Sequence, residues 1–499
     1  MSTVPLPADP SLANLRNRAR ALQRAVRAQD PDALAQVAEH HRDQLSGADF
    51  PLSAAQLVIA RSYGFASWPR LKHHLDVVDT FRRDPDVASD ADTDDLADQF
   101  CRLACLIYSP DDGPERWARA ANLLAEHPQI RRASMWAAAA AADPEAVRDL
   151  LAADPSLVHR QGGPHRWEPL FTLAYSRLGG GSPLETAQLL LDAGADPNAG
   201  YLWKGLPIPF TVLTGAFGEG EQGPGKQPRH PRSLALARLL LDAGADPNDG
   251  QTLYNRMFFP DNDHLELLFQ YGLGTGDGGP WKARMGDTVQ SPAEMVRMQL
   301  SWAIKSGFAA RVRLLIDHGV DIRRPFTDLG RTYRDRRSPV QTASAQGYRE
   351  IVDLLVAAGA PRPSASPAQE LVAAFLAADK LAVTRLRAEN PGLLEDVRPG
   401  LMVRAAATGN TEAVAIVAEA GIEVNELFEE STALHDAAWR GDIPILRALL
   451  AVGADPNVRD SRFDATPLGW AEHGHRPEAV DVLAPVTEPL AATWPAEGQ

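Results

Sequence analysis

The run GEGEQGPGKQ at 218–227 holds two glycine spacings that cradle phosphates: Gly218, Gly220 and Gly223 as GxGxxG, and Gly220, Gly225 and Lys226 as GxxxxGK. A working phosphate loop opens a helix whose N–H groups face the anion, and a Ser or Thr after the Lys holds magnesium. Here Gln227 takes that place, Pro228 and Pro231 interrupt the helix start, and Glu219 and Glu221 repel phosphate. The stretch reads as a flexible insertion. Asp90, Asp92, Asp94 and Asp95 mimic the first half of a calcium loop, but Asp95 stands where the turn needs Gly and Cys101 where a bidentate Glu is required. Cys101 and Cys105 lie one helical turn apart with no His or third Cys at zinc spacing, so they read as small buried hydrophobes. The pairs His40–His41 and His73–His74 read as polar surface. No catalytic residue, metal ligand or cofactor site is assigned.

Two segments carry contact chemistry instead. Residues 323–337, RRPFTDLGRTYRDRR, hold six Arg (Arg323, Arg324, Arg331, Arg334, Arg336 and Arg337) against two Asp. Arg beside aromatic residues is a common composition at binding hot spots. Residues 199–209, AGYLWKGLPIP, place Tyr201 and Trp203 in a turn-rich context where they are expected to be exposed. These eight residues are the candidate partner-binding set.

The elements that must position them follow from internal repetition. Leu189–Asn198 and Leu239–Asn248 both read LLLDAGADPN, and looser copies end near Ile322, Pro361, Asn425 and Asn457. Paired leucines put an apolar stripe on the last turns of a helix, Gly194 and Gly244 supply a left-handed stop, and the following Pro forbids continuation. Asp196 and Asn198 favour the turn by bonding nearby backbone. Thr432–Asn457 shows the whole unit: a helix from TALHDAA, a Gly441–Asp442 break, and a second helix IPILRALLAVGADPN. Neither helix can bury its apolar face alone, so neighbouring units must stack. The next unit opens at Thr466, giving a period near 33 residues.

This unit resembles the ankyrin repeat, matching at Thr432, Leu434, His435, Ala437, Ala438, Gly441, Leu449, Leu450, Gly453, Ala454, Asp455 and Asn457. It departs at Ala433, where the family has Pro, and in the next unit at Gly469, where it has His. The resemblance implies a stack of helix pairs that binds protein partners, with His435 bonding between units. The segment SYGFASWPRLKHHL (62–75) resembles the leader of some bacterial ankyrin-repeat proteins.

The expected fold is all-α, an α-solenoid of ankyrin-type helix pairs with a helical N-terminal cap. The cap covers 1–79, an acidic linker 80–95, degenerate helical repeats 96–165, the array 166–484 with insertions at 218–232 and 274–292, and a tail 485–499. Pairs are expected to begin near Trp167, Pro209, Thr252, Gln299, Ser338, Ala368, Leu401, Thr432 and Thr466. Fifty basic against 65 acidic residues leave a formal charge of -15, which argues against backbone-driven nucleic-acid binding. No apolar run is long enough to span a bilayer, and two cysteines without a disulfide framework suit a reducing compartment. The sequence therefore reads as a cytoplasmic, non-enzymatic protein-interaction scaffold without a cofactor, whose unidentified protein partner is acidic, and which contacts neither nucleic acid nor membrane. The alternatives are a regulator or inhibitor that occludes a partner enzyme, and an enzyme or nucleotide-dependent switch using the inserted loops.

Overall fold

The computed structural model describes residues 10–41, 49–84, 95–326 and 337–488, together with Val4, Leu6, Pro7 and Gly47. The chain divides into two compact units, one built from residues 1–88, 200–210 and 280–289, the other from 89–199, 211–279 and 290–499.

The first unit begins with four helices, Leu12–Arg27, Pro31–His40, Leu52–Ser62 and Trp68–Phe81. Ser11, Asp30 and Ser67 accept N–H groups of the first turns of three of them, satisfying donors that a helix start otherwise leaves unpaired. Their apolar faces close over Leu15, Val26, Phe50, Ile59 and Leu71. The remaining two stretches are far away in sequence. Strand Arg82–Arg83 pairs in parallel with strand Gly200–Trp203, in register Arg82 with Leu202. Beneath them Val77, Val78, Leu202, Trp281 and Met285 form a second small core. The stretches 200–210 and 280–289 were expected to be an exposed finger and part of a surface insertion. They belong instead to this unit, because their apolar side chains complete its core.

The second unit starts with helices Leu96–Ala104, Pro114–Glu126, Met135–Ala140 and Pro144–Ala153. Asp95, read as part of an acidic linker, caps the first by accepting the N–H groups of Ala97 and Asp98. Nine further helix pairs follow among the described residues, their first helices opening at Pro169, Val212, Gly250, Pro292, Pro339, Pro367, Leu401, Ala433 and Pro467. All lie close to the positions expected from sequence except the fourth, which starts at Pro292 because Ser291 and Glu294 close a capping box there. The chain is an all-α solenoid of stacked pairs over this region.

Gly194 and Gly244 take φ of +99° and +97°, the left-handed conformation that stops each LLLDAGADPN helix. Asp196 supports its own turn by accepting the N–H of Asn198 at 2.8 Å. Asn198 does more than its local role: its amide donates to the Gly244 carbonyl at 2.9 Å and accepts from the Asp246 N–H at 2.8 Å. Asn248 does the same to Thr275 and Gly274, and Asn425 to Gly453 and Asp455. The repeated Asn is a rivet between consecutive pairs. His435, fully buried, bonds Thr432 Oγ1 through Nδ1 at 2.8 Å and the Ala465 carbonyl of the next pair through Nε2 at 3.0 Å, as its place in the motif implies.

The glycine-rich insertion differs from expectation. Residues 211–220 are all buried, and a Cβ on Gly223 would lie 3.3 Å from the Trp439 ring. Glu219 pairs with Arg229 and Arg256, and Lys226 donates to the Pro110 carbonyl at 2.9 Å. The segment is a packed part of the second unit, because its charged groups are satisfied by the repeats around it.

Candidate functional site

The first helices of the fourth, fifth, seventh and eighth pairs each turn one face towards a shared cavity. Positions i, i+3 and i+4 share a helix face, so helix Leu401–Ala407 presents Val403, Arg404 and Ala407, and helix Ala433–Arg440 presents Asp436, Trp439 and Arg440. Helix Pro292–Lys305 contributes Trp302 and Lys305. Helix Pro339–Gln346 contributes Ala345 and Gln346, and Gly347 turns the chain at φ +82° so that Tyr348 follows them into the wall. Small residues at Ala345 and Ala407 leave room, and the cavity holds about 1280 Å³. That exceeds the usual space for a small ligand, roughly 300–1,000 Å³, and suits a stretch of polypeptide.

Its walls are aromatic. Phe258 and Trp302 meet edge to face at 5.5 Å, and the buried Trp302 Nε1 finds no acceptor among the described residues. Trp439, also in the lining, stands edge-on to Trp470 at 6.2 Å and stacks on His473. Four cations, Lys305, Arg337, Arg404 and Arg440, face two carboxylates, Glu429 and Asp436. Among the described residues Arg404 donates only to backbone carbonyls, those of Val397, Pro399 and Gly400 at 3.1–3.3 Å. Arg440 donates to the Ala406 carbonyl at 3.3 Å. Neither guanidinium forms an ion pair among the described residues. Burial lowers the Arg404 pKa. Burial raises that of the Tyr348 phenol, and Arg404 and Arg440 both pull it back down, placing all three groups within electrostatic reach of one another. Burial also raises the pKa of the Asp436 carboxyl, which accepts from Ser431 Oγ at 2.9 Å.

The residues singled out from sequence are dispersed. Tyr201 is 2% exposed and stacks on Phe210 at 5.6 Å. The expectation that it is displayed is corrected, since its ring closes the first unit's sheet. Trp203 is half-buried in the same strand with Lys204 Nζ 4.7 Å above its ring. Arg323 and Arg324 are exposed, and Arg324 pairs with Asp321 at 3.7 Å. The root of that segment is pinned by the buried Arg297, which donates to the carbonyls of Asp321, Arg324 and Pro325 at 2.6–2.9 Å. Arg331, Arg334 and Arg336 lie outside the described residues, as do Asp90, Asp92 and Asp94. Of the candidate set, the groove takes in Arg337 alone among the described residues. Trp302, Tyr348, Arg404, Trp439 and Arg440 were missed. They occupy positions where the repeat motif does not dictate the residue, and only stacking shows that they converge.

Asp261, Asp263 and His264 offer three metal-type ligand atoms within 4.8 Å of one another. Arg229 and Arg256 already bridge both carboxylates, so the cluster is an internal ion-pair network.

A family model described as ankyrin repeats (3 copies) matches residues 371–460, the stretch that carries Arg404, Trp439 and Arg440. No curated protein matches the chain.

Proposed function

Because this is an ankyrin-repeat protein, we propose that it is a non-enzymatic interaction scaffold of the cytoplasm that seats a segment of an acidic partner protein in the groove between Phe258 and Arg440. The observation that carries this reading is the groove itself. It joins aromatic walls on four helix pairs to an excess of cations, on a chain of formal charge -15. Aromatic and Arg side chains supply most of the energy at protein interfaces. The two buried thiols, Cys101 and Cys105, suit a reducing compartment, and no described helix is long and apolar enough to cross a membrane.

The test is quantitative affinity capture from native lysate with two baits, the natural protein and a Trp302→Ala/Trp439→Ala variant whose fold is checked by circular dichroism. Proteins held by the first and lost by the second support the groove as the binding face. An unchanged captured set moves the binding face elsewhere, with the exposed Arg323 and Arg324 segment as the next surface to mutate.

A further inference from the structure

Within the groove two guanidiniums form no direct ion pair among the described residues, Glu426 acting on Arg404 and Asp436 on Arg440 only at longer range. Arg404 and Arg440 spend their hydrogen bonds on neutral backbone carbonyls, although a planar guanidinium fits a carboxylate with two parallel N–H···O bonds. Both line the same cavity as Tyr348, Trp302 and Trp439, and both act electrostatically on the Tyr348 phenol. We infer that Arg404, Arg440 and Tyr348 form a receptor for a single Asp or Glu side chain of an extended partner segment, with apolar residues beside that carboxylate packing on Trp302 and Trp439.

This rests on the groove being the binding face and names the chemistry that face reads. A carboxylate fits better than a phosphate because the groove also holds Glu429 and Asp436. Each of these fixed carboxylates repels a phosphate dianion about twice as strongly as it repels a monoanion. Nucleic acid would bring a run of phosphates to a body of formal charge -15. A buried charge-assisted pair confers specificity as much as affinity, so the receptor selects acidic segments from other apolar ones.

The experiment uses the full chain and fluorescein-labelled peptides read by anisotropy. The probe is a short peptide of Gly and Ser carrying one central Glu flanked by Phe residues; its counterparts carry Gln or phosphotyrosine in place of Glu. The Glu peptide should bind the natural protein about ten- to a hundredfold tighter than the Gln peptide. Arg440→Gln and Tyr348→Phe should remove most of that preference without weakening the Gln peptide further, which separates recognition from damage to the fold. Arg404→Lys, which keeps the charge but loses the fork, should retain part of it. Trp439→Ala should weaken both peptides alike. Equal binding of Glu and Gln peptides overturns the carboxylate receptor while leaving the groove as binding face intact. The receptor is also overturned if the phosphotyrosine peptide binds tightest, if the Arg variants weaken both peptides equally, or if no peptide binds a folded protein. In the last case the captured set lost by the Trp302→Ala/Trp439→Ala bait decides separately whether the groove is used.

Discussion

Acid should loosen the second unit through three histidines that carry no charge when folded. His165, His230 and His264 are 5%, 4% and 0% exposed. Burial, aided at His230 by Arg177 and Arg232 and at His165 by Arg116 and Arg102, lowers each pKa from 6.5 to about 3. His230 Nδ1 also accepts the Arg232 N–H at 3.0 Å, a bond that a protonated nitrogen cannot make. Below 6.5 the unfolded chain takes up a proton at each site, while the folded protein does so only near 3. Their contribution is therefore complete above the unfolded value and lost as pH falls through the window between. From about pH 7.5 to about pH 5 each histidine should cost about 2 kcal/mol, or about 6 for three. Asp112 acts in the opposite sense. Its burial raises the carboxyl pKa to about 6, so protonation at low pH relieves a cost and returns about 1 kcal/mol. The net expectation is a loss of about 4–5 kcal/mol, read as a fall in urea midpoint by far-ultraviolet circular dichroism across that pH range. His230→Gln, which keeps an acceptor for Arg232, should flatten the pH dependence by about 2 kcal/mol. Equal midpoints at both pH values, or greater stability in acid, would refute the argument that these imidazoles are buried and neutral.

Gly215→Ala sets helix propensity against packing. Alanine should gain about 1 kcal/mol inside helix Val212–Phe217, but its Cβ would lie 2.3 Å from the Tyr175 ring. That ring is held by a stack on Phe171 and by its hydroxyl bond to the Thr211 carbonyl, so a net loss of about 1–3 kcal/mol is expected in thermal denaturation. His435→Ala should cost about 2–4 kcal/mol, because it removes the bonds to Thr432 and to the Ala465 carbonyl of the next pair, which keeps only the Asp460 N–H, and opens a cavity between the last two pairs; a shift in melting temperature within error of zero would count against the inter-repeat bond. Cys101 and Cys105 should resist a thiol-titrating reagent at mildly alkaline pH in the folded protein and react fully in urea. Burial pushes Cys105 up to about 12 and Cys101 well above its usual value, and the thiolate is the reactive form.

Much of the second unit was legible in sequence because its signals are local. The LLLDAGADPN stop needs only a left-handed Gly followed by Pro, and the caps at Ser291, Ser338, Ser366 and Thr432 need only a side-chain oxygen facing the first turn. Those chemical facts fix where helices begin and end, and their period fixes that they stack. The role of Asn198, Asn248 and Asn425 was half legible: the residue favours a turn by itself, but its bonds to the following repeat exist only once two units lie side by side.

The candidate site was not legible in the same way. Tyr201 and Trp203 sit among Gly and Pro, a context that reads as exposed, yet Tyr201 is buried. The strand that carries it pairs with Arg82–Arg83, more than a hundred residues upstream, and no local pattern encodes such a pairing. The glycine-rich insertion likewise has the composition of a free loop and the contacts of a packed one. Arg404 and Arg440 lie 36 residues apart in helices whose sequences each explain themselves as repeat units. Sequence by itself determined that this chain is a stack of helix pairs with an acidic surface. Only the tertiary structure decided which faces of those helices share a cavity, because convergence depends on the stacking of successive pairs, set by side-chain packing between residues that are distant along the chain.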